Sequence, residues 1–213
     1  MIPGGVGFAL SVTGSLQLLN DMIAKTPPTE LRRLNREKLD NMEMDPTLTD
    51  LSIEKNVFTP RDQTLFVAAR EDMKHTKNRN KLLKFALRTE SEDLAAFRTR
   101  MAIMYAVYNR SVAPIKSFIS LGTFPCGTTE NTLVFISPVD HLLWTEDAHA
   151  IAKAISDRAA TLVGIKKKEL WVDGTVTDRS LEGLYKLGWS VKKNSDAILD
   201  WKEEAKKKRA PPR

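Results

Sequence analysis

The stretch Lys168–Asn194, KELWVDGTVTDRSLEGLYKLGWSVKKN, restricts the fold more than any other part of the chain. Glu169-Leu170-Trp171-Val172 is a short run with bulky side chains, which favour a pleated backbone. Asp173-Gly174 interrupts the run with a turn dipeptide. Thr177 then offers a side-chain oxygen to the free N–H groups of a starting helix, and Asp178 suits its positive end. Leu181, Leu184 and Tyr185 follow at helical spacing. Gly188 fits a left-handed helix terminator, and Trp189-Ser190-Val191 predicts a second strand. All the local signals agree on a strand, a helix and a strand.

The same grammar extends upstream. Thr132-Leu133-Val134-Phe135-Ile136 is the strongest buried-strand run, and Ser137-Pro138-Val139-Asp140 stops it. Thr145 caps a helix that ends by Leu162. The order becomes Thr132–Ile136, Glu146–Leu162, Glu169–Val172, Asp178–Leu187, Trp189–Val191, a βαβαβ unit with right-handed crossovers. Just before it, Thr123–Gly127 is extended and Gly127–Asn131 turns. Pro114 leaves Ile115–Leu121 as either final helical turns or an edge strand.

The N-terminal half has helical periodicity. Thr59-Pro60 starts a helix over Pro60–Thr76, and two more follow over Lys77–Thr89 and Glu90–Asn109. Leu94, Phe97, Met101, Met104, Tyr105 and Tyr108 recur at steps of a helical face, a pattern of core packing rather than of a ligand pocket. Earlier segments predict a helix from Phe8 to Ala24, a polar helix capped by Thr29 with Leu31, Leu34 and Leu39 as its thin stripe, and a short helix around Leu48, Leu51 and Ile53. A last amphipathic helix is expected over Ser195–Lys207, carrying Ile198, Leu199 and Trp201.

The expected architecture is therefore α/β (α+β overall): a helical N-terminal region, then a small, mainly parallel sheet with flanking helices. The expected division is an arm or linker over 1–58, a helical region over 59–121, a small α/β domain over 122–207 and a disordered basic tail over 208–213.

Composition narrows the chemistry. With 213 residues, 42% of them hydrophobic, the chain can bury a core without a metal or disulfide staple. Cys126 stands alone, which excludes an intramolecular disulfide framework. His75, His141 and His149 lack companions at ligand spacing, so neither metal nor cofactor is expected. Nucleotide, P-loop, nucleophile-elbow and zinc-helix signatures are absent. No Lys or Arg precedes Lys25, unlike a signal peptide, and glycines at 4, 5, 7 and 14 break the apolar run. The expected location is cytoplasmic, with membrane contact through residues 1–24 as the alternative.

In an open α/β sheet, ligands gather at the carboxyl ends of the strands. Asp140 and His141 follow the first strand; Asp173 and Thr175 follow the second. Together they form the candidate ligand-binding set, with two carboxylates that could carry Mg²⁺ through waters, an imidazole and a hydroxyl. The competing role for both aspartates is turn formation and capping. Trp171–Asp178 is similar to the first motif of haloacid dehalogenase-like phosphatases, but Trp171 stands where that family has its nucleophile, which excludes that reaction. Cys126 suits a small structural residue, with pairing to His141 as the nucleophilic alternative.

These features predict a non-enzymatic binding or protein-interaction protein, with a protein partner or self-association. The first alternative is a small ligand-binding or hydrolytic enzyme at Asp140 and Asp173. The second is nucleic-acid association through the basic run Lys74–Arg88 and the tail, but acidic residues flank that run and Phe85 is the only Phe, Tyr or Trp within it.

Overall fold

The structure is a computed structural model that describes residues 11–13, 16–42 and 44–195. Among the described residues six helices precede the sheet: α1 (Leu16–Lys25), α2 (Pro28–Asn41), α3 (Pro46–Glu54), α4 (Pro60–Asp72), α5 (Asn80–Ala86) and α6 (Glu92–Ser111). Then come β1 (Ser117–Leu121), β2 (Phe124–Thr128), β3 (Thr132–Ser137), β4 (His141–Leu142), α7 (Glu146–Ala160), β5 (Lys167–Val172), β6 (Thr175–Val176), α8 (Asp178–Lys186) and β7 (Trp189–Lys192). The helix expected from Phe8 starts only at Leu16, and residues 11–13 form a turn instead; residues 8–10 and 14–15, the final helix beyond Ser195 and the basic tail lie outside the described residues.

Most helix starts follow from one interaction. The side chains of Asp45, Thr59, Ser91, Thr145 and Thr177 each accept a hydrogen bond from the backbone N–H three residues later. The start of α2 differs from expectation. Its N-cap is Pro27, without a side-chain hydrogen bond, and Thr29 lies inside the helix. Pro28 explains this, because its fixed φ suits the first helical position, where its missing N–H costs nothing.

The main sheet has the order β1-β2-β3-β5-β7. β1, β2 and β3 are joined antiparallel, so the segment after Pro114 resolves as an edge strand. β3, β5 and β7 run parallel, with α7 and α8 as their crossovers. This is the α/β architecture with N-terminal helices that the periodicities imply. A two-stranded parallel ladder, β4 with β6, prolongs the ends of β3 and β5.

Alternation along the strands feeds two cores. Phe118, Val134, Ile136 and Trp171 face the helical half, where they join Leu39, Leu65, Phe66, Met101, Met104 and Tyr105. Leu133, Leu170, Val172 and Trp189 face the other way, onto Ala152, Ile155 and Ala159 of α7 and Leu184 of α8. Tyr105 and Tyr108, of the expected core stripe on α6, stack edge-on against Phe118 and Trp171, with centroids 5.0 and 5.3 Å apart. Leu94 is the exception, 46% exposed near the start of α6. The helices are further keyed together by a buried amide network: Asn35 donates to Gln63 and Thr64, and Gln63 donates to the carbonyls of Ser52 and Ile53. Among the described residues no helix is long and apolar enough to cross a membrane.

Tyr105 is one point where helix and sheet are joined by polar contact. Its hydroxyl donates to the Pro125 carbonyl at 2.9 Å and accepts from the Ile136 N–H at 3.3 Å, all within the core. A Tyr105→Phe substitution removes both bonds and strands their partners. We expect it to lower the unfolding free energy by about 1–2 kcal/mol in urea titrations. An unchanged midpoint would show that these bonds contribute nothing.

Candidate functional site at the strand ends

Because β3 and β5 lie side by side and parallel, the two loops that leave them meet. Asp173 N–H donates to Ser137, Gly174 N–H to Val139 and Thr175 N–H to Asp140, at 3.4, 3.0 and 3.0 Å. This zipper draws the backbones so close that a Cβ on Gly174 would lie 1.9 Å from the Asp140 carbonyl oxygen. Glycine is needed here for lack of space. Its φ is not in the left-handed region, so the turn-conformation reason inferred from Asp173-Gly174 does not apply. Gly188 does adopt positive φ, at +77°, as its place after α8 implies.

The zipper brings Asp140, His141, Asp173 and Thr175 together, but as two separate pairs. Arg100, reaching from α6, donates from one Nη2 to Asp140 Oδ1 at 3.2 Å and to Asp173 Oδ2. The Asp173 side chain is 1% exposed, Arg100 is 32% exposed and Asp140 is 90% exposed. Burial works against the Arg100 charge, but the hydrogen bond and charge of Asp173, then those of Asp140, outweigh it and raise its pKa. The guanidinium therefore fills the place between the carboxylates that a cation would take. Asp173 accordingly ties helix to sheet, a role it fills better than that of a free general base.

His141 and Thr175 are register partners across the β4–β6 ladder, and Nδ1 of the ring is hydrogen-bonded to the Thr175 hydroxyl. Both residues are exposed. Among the described residues no hydrogen bond engages the other ring nitrogen, so nothing there fixes the tautomer as an orienting carboxylate does in a triad. Cys126 lies fully buried in the core between the sheet and α7, and burial pushes its thiol up to about 12. It is a packing residue, and no hydrogen bond joins it to the exposed His141.

Sequence patterns did not single out Arg100, yet a signal was present. Phe97, Arg100 and Met104 lie at steps of three and four, so the arginine interrupts an apolar face and needs a buried partner.

A second feature adjoins these strand ends. A cavity of about 170 Å³ lies between the sheet and α7, walled by Phe124, Phe135, Leu142, Trp144, Ile151 and Trp189. Ser137, the last residue of β3, provides polar atoms in its wall. Small residues on α7, Ala148 and Ala152, leave the room. Trp144 closes one side, with its indole so close to Gly183 that a Cβ there would meet the ring at 2.3 Å. At the far end Trp189 is fixed by donating its indole N–H to Ser156 at 2.8 Å.

No family model, curated protein or solved structure matches the chain.

The two aspartates should respond differently to neutralisation. Asp173→Asn leaves a half-buried guanidinium short of a charge partner, and a loss of about 2–4 kcal/mol is expected. Asp140→Asn removes an exposed contact, with a loss under about 0.5 kcal/mol. Chemical denaturation of both variants measures this; equal losses would contradict the structural role of Asp173.

Proposed function

We propose that the protein is a non-catalytic binding protein that receives a small aromatic group in the cavity between the sheet and α7. The cavity itself carries this reading. Among the described residues its wall is aromatic and aliphatic with a single hydroxyl-bearing residue, Ser137, which is the composition of a site that fixes an apolar ligand by shape and orients it by one polar contact. An apolar cavity of about 150 Å³ is large enough for benzene. The group could belong to a free small molecule or to an aromatic side chain of a partner protein, including a second copy of this chain; the recognising chemistry is shared. The engagement of Asp173 by Arg100 supports the same reading, since it removes the best candidate for a catalytic carboxylate.

The hydrogen bond between His141 and Thr175 favours a second reading, hydrolysis with the hydroxyl as nucleophile and the imidazole as base. Turnover of p-nitrophenyl acetate by the native protein, lost in Thr175→Ala, would support it over the first.

Calorimetric titration with indole tests the binding reading. We expect one saturable site with a Kd of about 0.1–1 mM, lost when Ala148→Phe fills the cavity. Absence of saturable heat, or unchanged binding by the filled variant, would contradict it. Sedimentation with and without indole identifies the source of the group. Dissociation of an oligomer by indole would point to a side chain of a second copy.

A further inference from the structure

Arg70 is enclosed by protein and has no acidic partner among the described residues. Its side chain is 0% exposed; Nη2 donates to Asn80 Oδ1 at 2.8 Å, Nη1 lies 2.9 Å from Met44 Sδ, and Nε has no partner. A thioether is a weak acceptor, so one neutral amide oxygen is the best counterpart that this cation has. Beside it, Arg79 donates from Nη2 to the Met42 carbonyl at 3.3 Å, while its buried Nη1 is unpartnered. Among the described residues neither arginine forms an ion pair. Burial, and then the neighbouring Arg79 charge, lower the Arg70 pKa. Two adjacent guanidiniums with idle N–H groups amount to a local deficit of negative charge, which is costly away from water.

A polar cavity of about 440 Å³ opens at this point, lined by Thr76, Asn78, Arg79, Asn80, Lys81 and Lys84 together with Met42. Arg70 stands behind its wall. By engaging the Asn80 amide oxygen it leaves the amide N–H₂ free to donate elsewhere. The loop that shapes the cavity is fixed against β1 before any ligand arrives. Lys77 N–H donates to the Lys116 carbonyl, Phe118 N–H donates to the Lys77 carbonyl, and Asn78 donates to Ser117, at 3.0, 2.9 and 3.0 Å. Thr76 bonds the Ile115 carbonyl at 3.0 Å, and Asn78 sits in the left-handed region at φ +57°. Donors held this way need little reorganisation to meet an anion.

We infer that this cavity binds a small phosphate-bearing molecule, gripped by Arg79, Lys81 and Lys84 with Asn80 and Arg70 in support. The half-buried Arg79 guanidinium, with its Nη1 enclosed, and two ammonium groups suit the several oxygens and the double charge of a phosphate better than a single carboxylate. Among the described residues no aromatic lines the cavity, so they offer nothing on which to stack a base, and recognition falls on the phosphoryl group. The volume leaves room for more than one such group or for a small organic body attached to it. This site shares no lining residue with the aromatic cavity and does not depend on that reading.

Pyrophosphate is the probe. Calorimetry of the full chain in about 150 mM NaCl should show one saturable site, because Arg79 and Lys81 are half-buried and partly buried charges are screened less than exposed ones. The Lys81→Ala/Lys84→Ala double variant, which alters the outer wall, should bind about tenfold more weakly or worse, at unchanged thermal stability. Arg79→Met should abolish binding. The inference is overturned by absence of saturable binding, or by equal affinity in the lysine variant. Random single-stranded DNA provides the remaining arm. If it binds more tightly than pyrophosphate, with a steep loss on added salt, the basic surface around Lys74–Arg88 is a nucleic-acid interface and the small-ligand site is wrong.

Discussion

β3 and β5 run parallel with Val134 opposite Glu169 and Ile136 opposite Trp171, and two parallel strands can be joined only by a chain that crosses a face of the sheet. Much else depends on that constraint. It commits α7 to one face, and the right-handed crossover leaves α6 and the other N-terminal helices to cover the opposite one. It aligns the carboxyl ends of the two strands, so the loops beyond them can be zipped by backbone hydrogen bonds from Asp173 to Thr175. It also places the small residues of α7 over the aromatic side chains of β2, β3 and β7, which is where the apolar cavity arises.

The arginines of the helical region show how differently one side chain can be balanced. Arg100 leaves α6 and meets two carboxylates, one buried and one at the surface, so its charge is retained and serves to fasten helix to sheet. Arg70 is buried more deeply than Arg100 and meets an amide oxygen and a sulfur instead. Where the counter-charges are supplied internally, the geometry is that of a structural joint. Where they are not, the geometry is that of a receptor for an anion. This distinction assigns Asp173 to the framework despite its position at a strand end, where ligands commonly sit.

The elements with strong local chemistry were legible in the sequence. Caps at Thr59, Thr145 and Thr177, the terminator Gly188 and the apolar run at Thr132–Ile136 fix helices and strands through contacts within a few residues. The α2 start was misassigned because Thr29 is a good cap in isolation, whereas Pro28 occupies the first helical position for steric reasons. The β4–β6 ladder was invisible since its strands are two residues each, too short for alternation to register. The proximity of Asp140 to Asp173 followed from topology alone. Their capture by Arg100, forty residues before one and seventy-three before the other, did not, because long-range ion pairs leave no periodic trace. The cavity was hidden for a similar reason. Phe124, Phe135, Trp144 and Trp189 each read as core residues, and only the packing of α7 shows that they enclose space.

Chemical-shift mapping of the isotope-labelled protein during an indole titration tests the central claim most directly. If the aromatic cavity is the binding site, the largest perturbations fall on Phe135, Ala148 and Ala152 and on the indole N–H signals of Trp144 and Trp189, while the Asp173 amide stays put. Perturbations centred instead on His141 and Thr175, with the cavity residues unmoved, would contradict the account and return the strand-end residues to the centre of function.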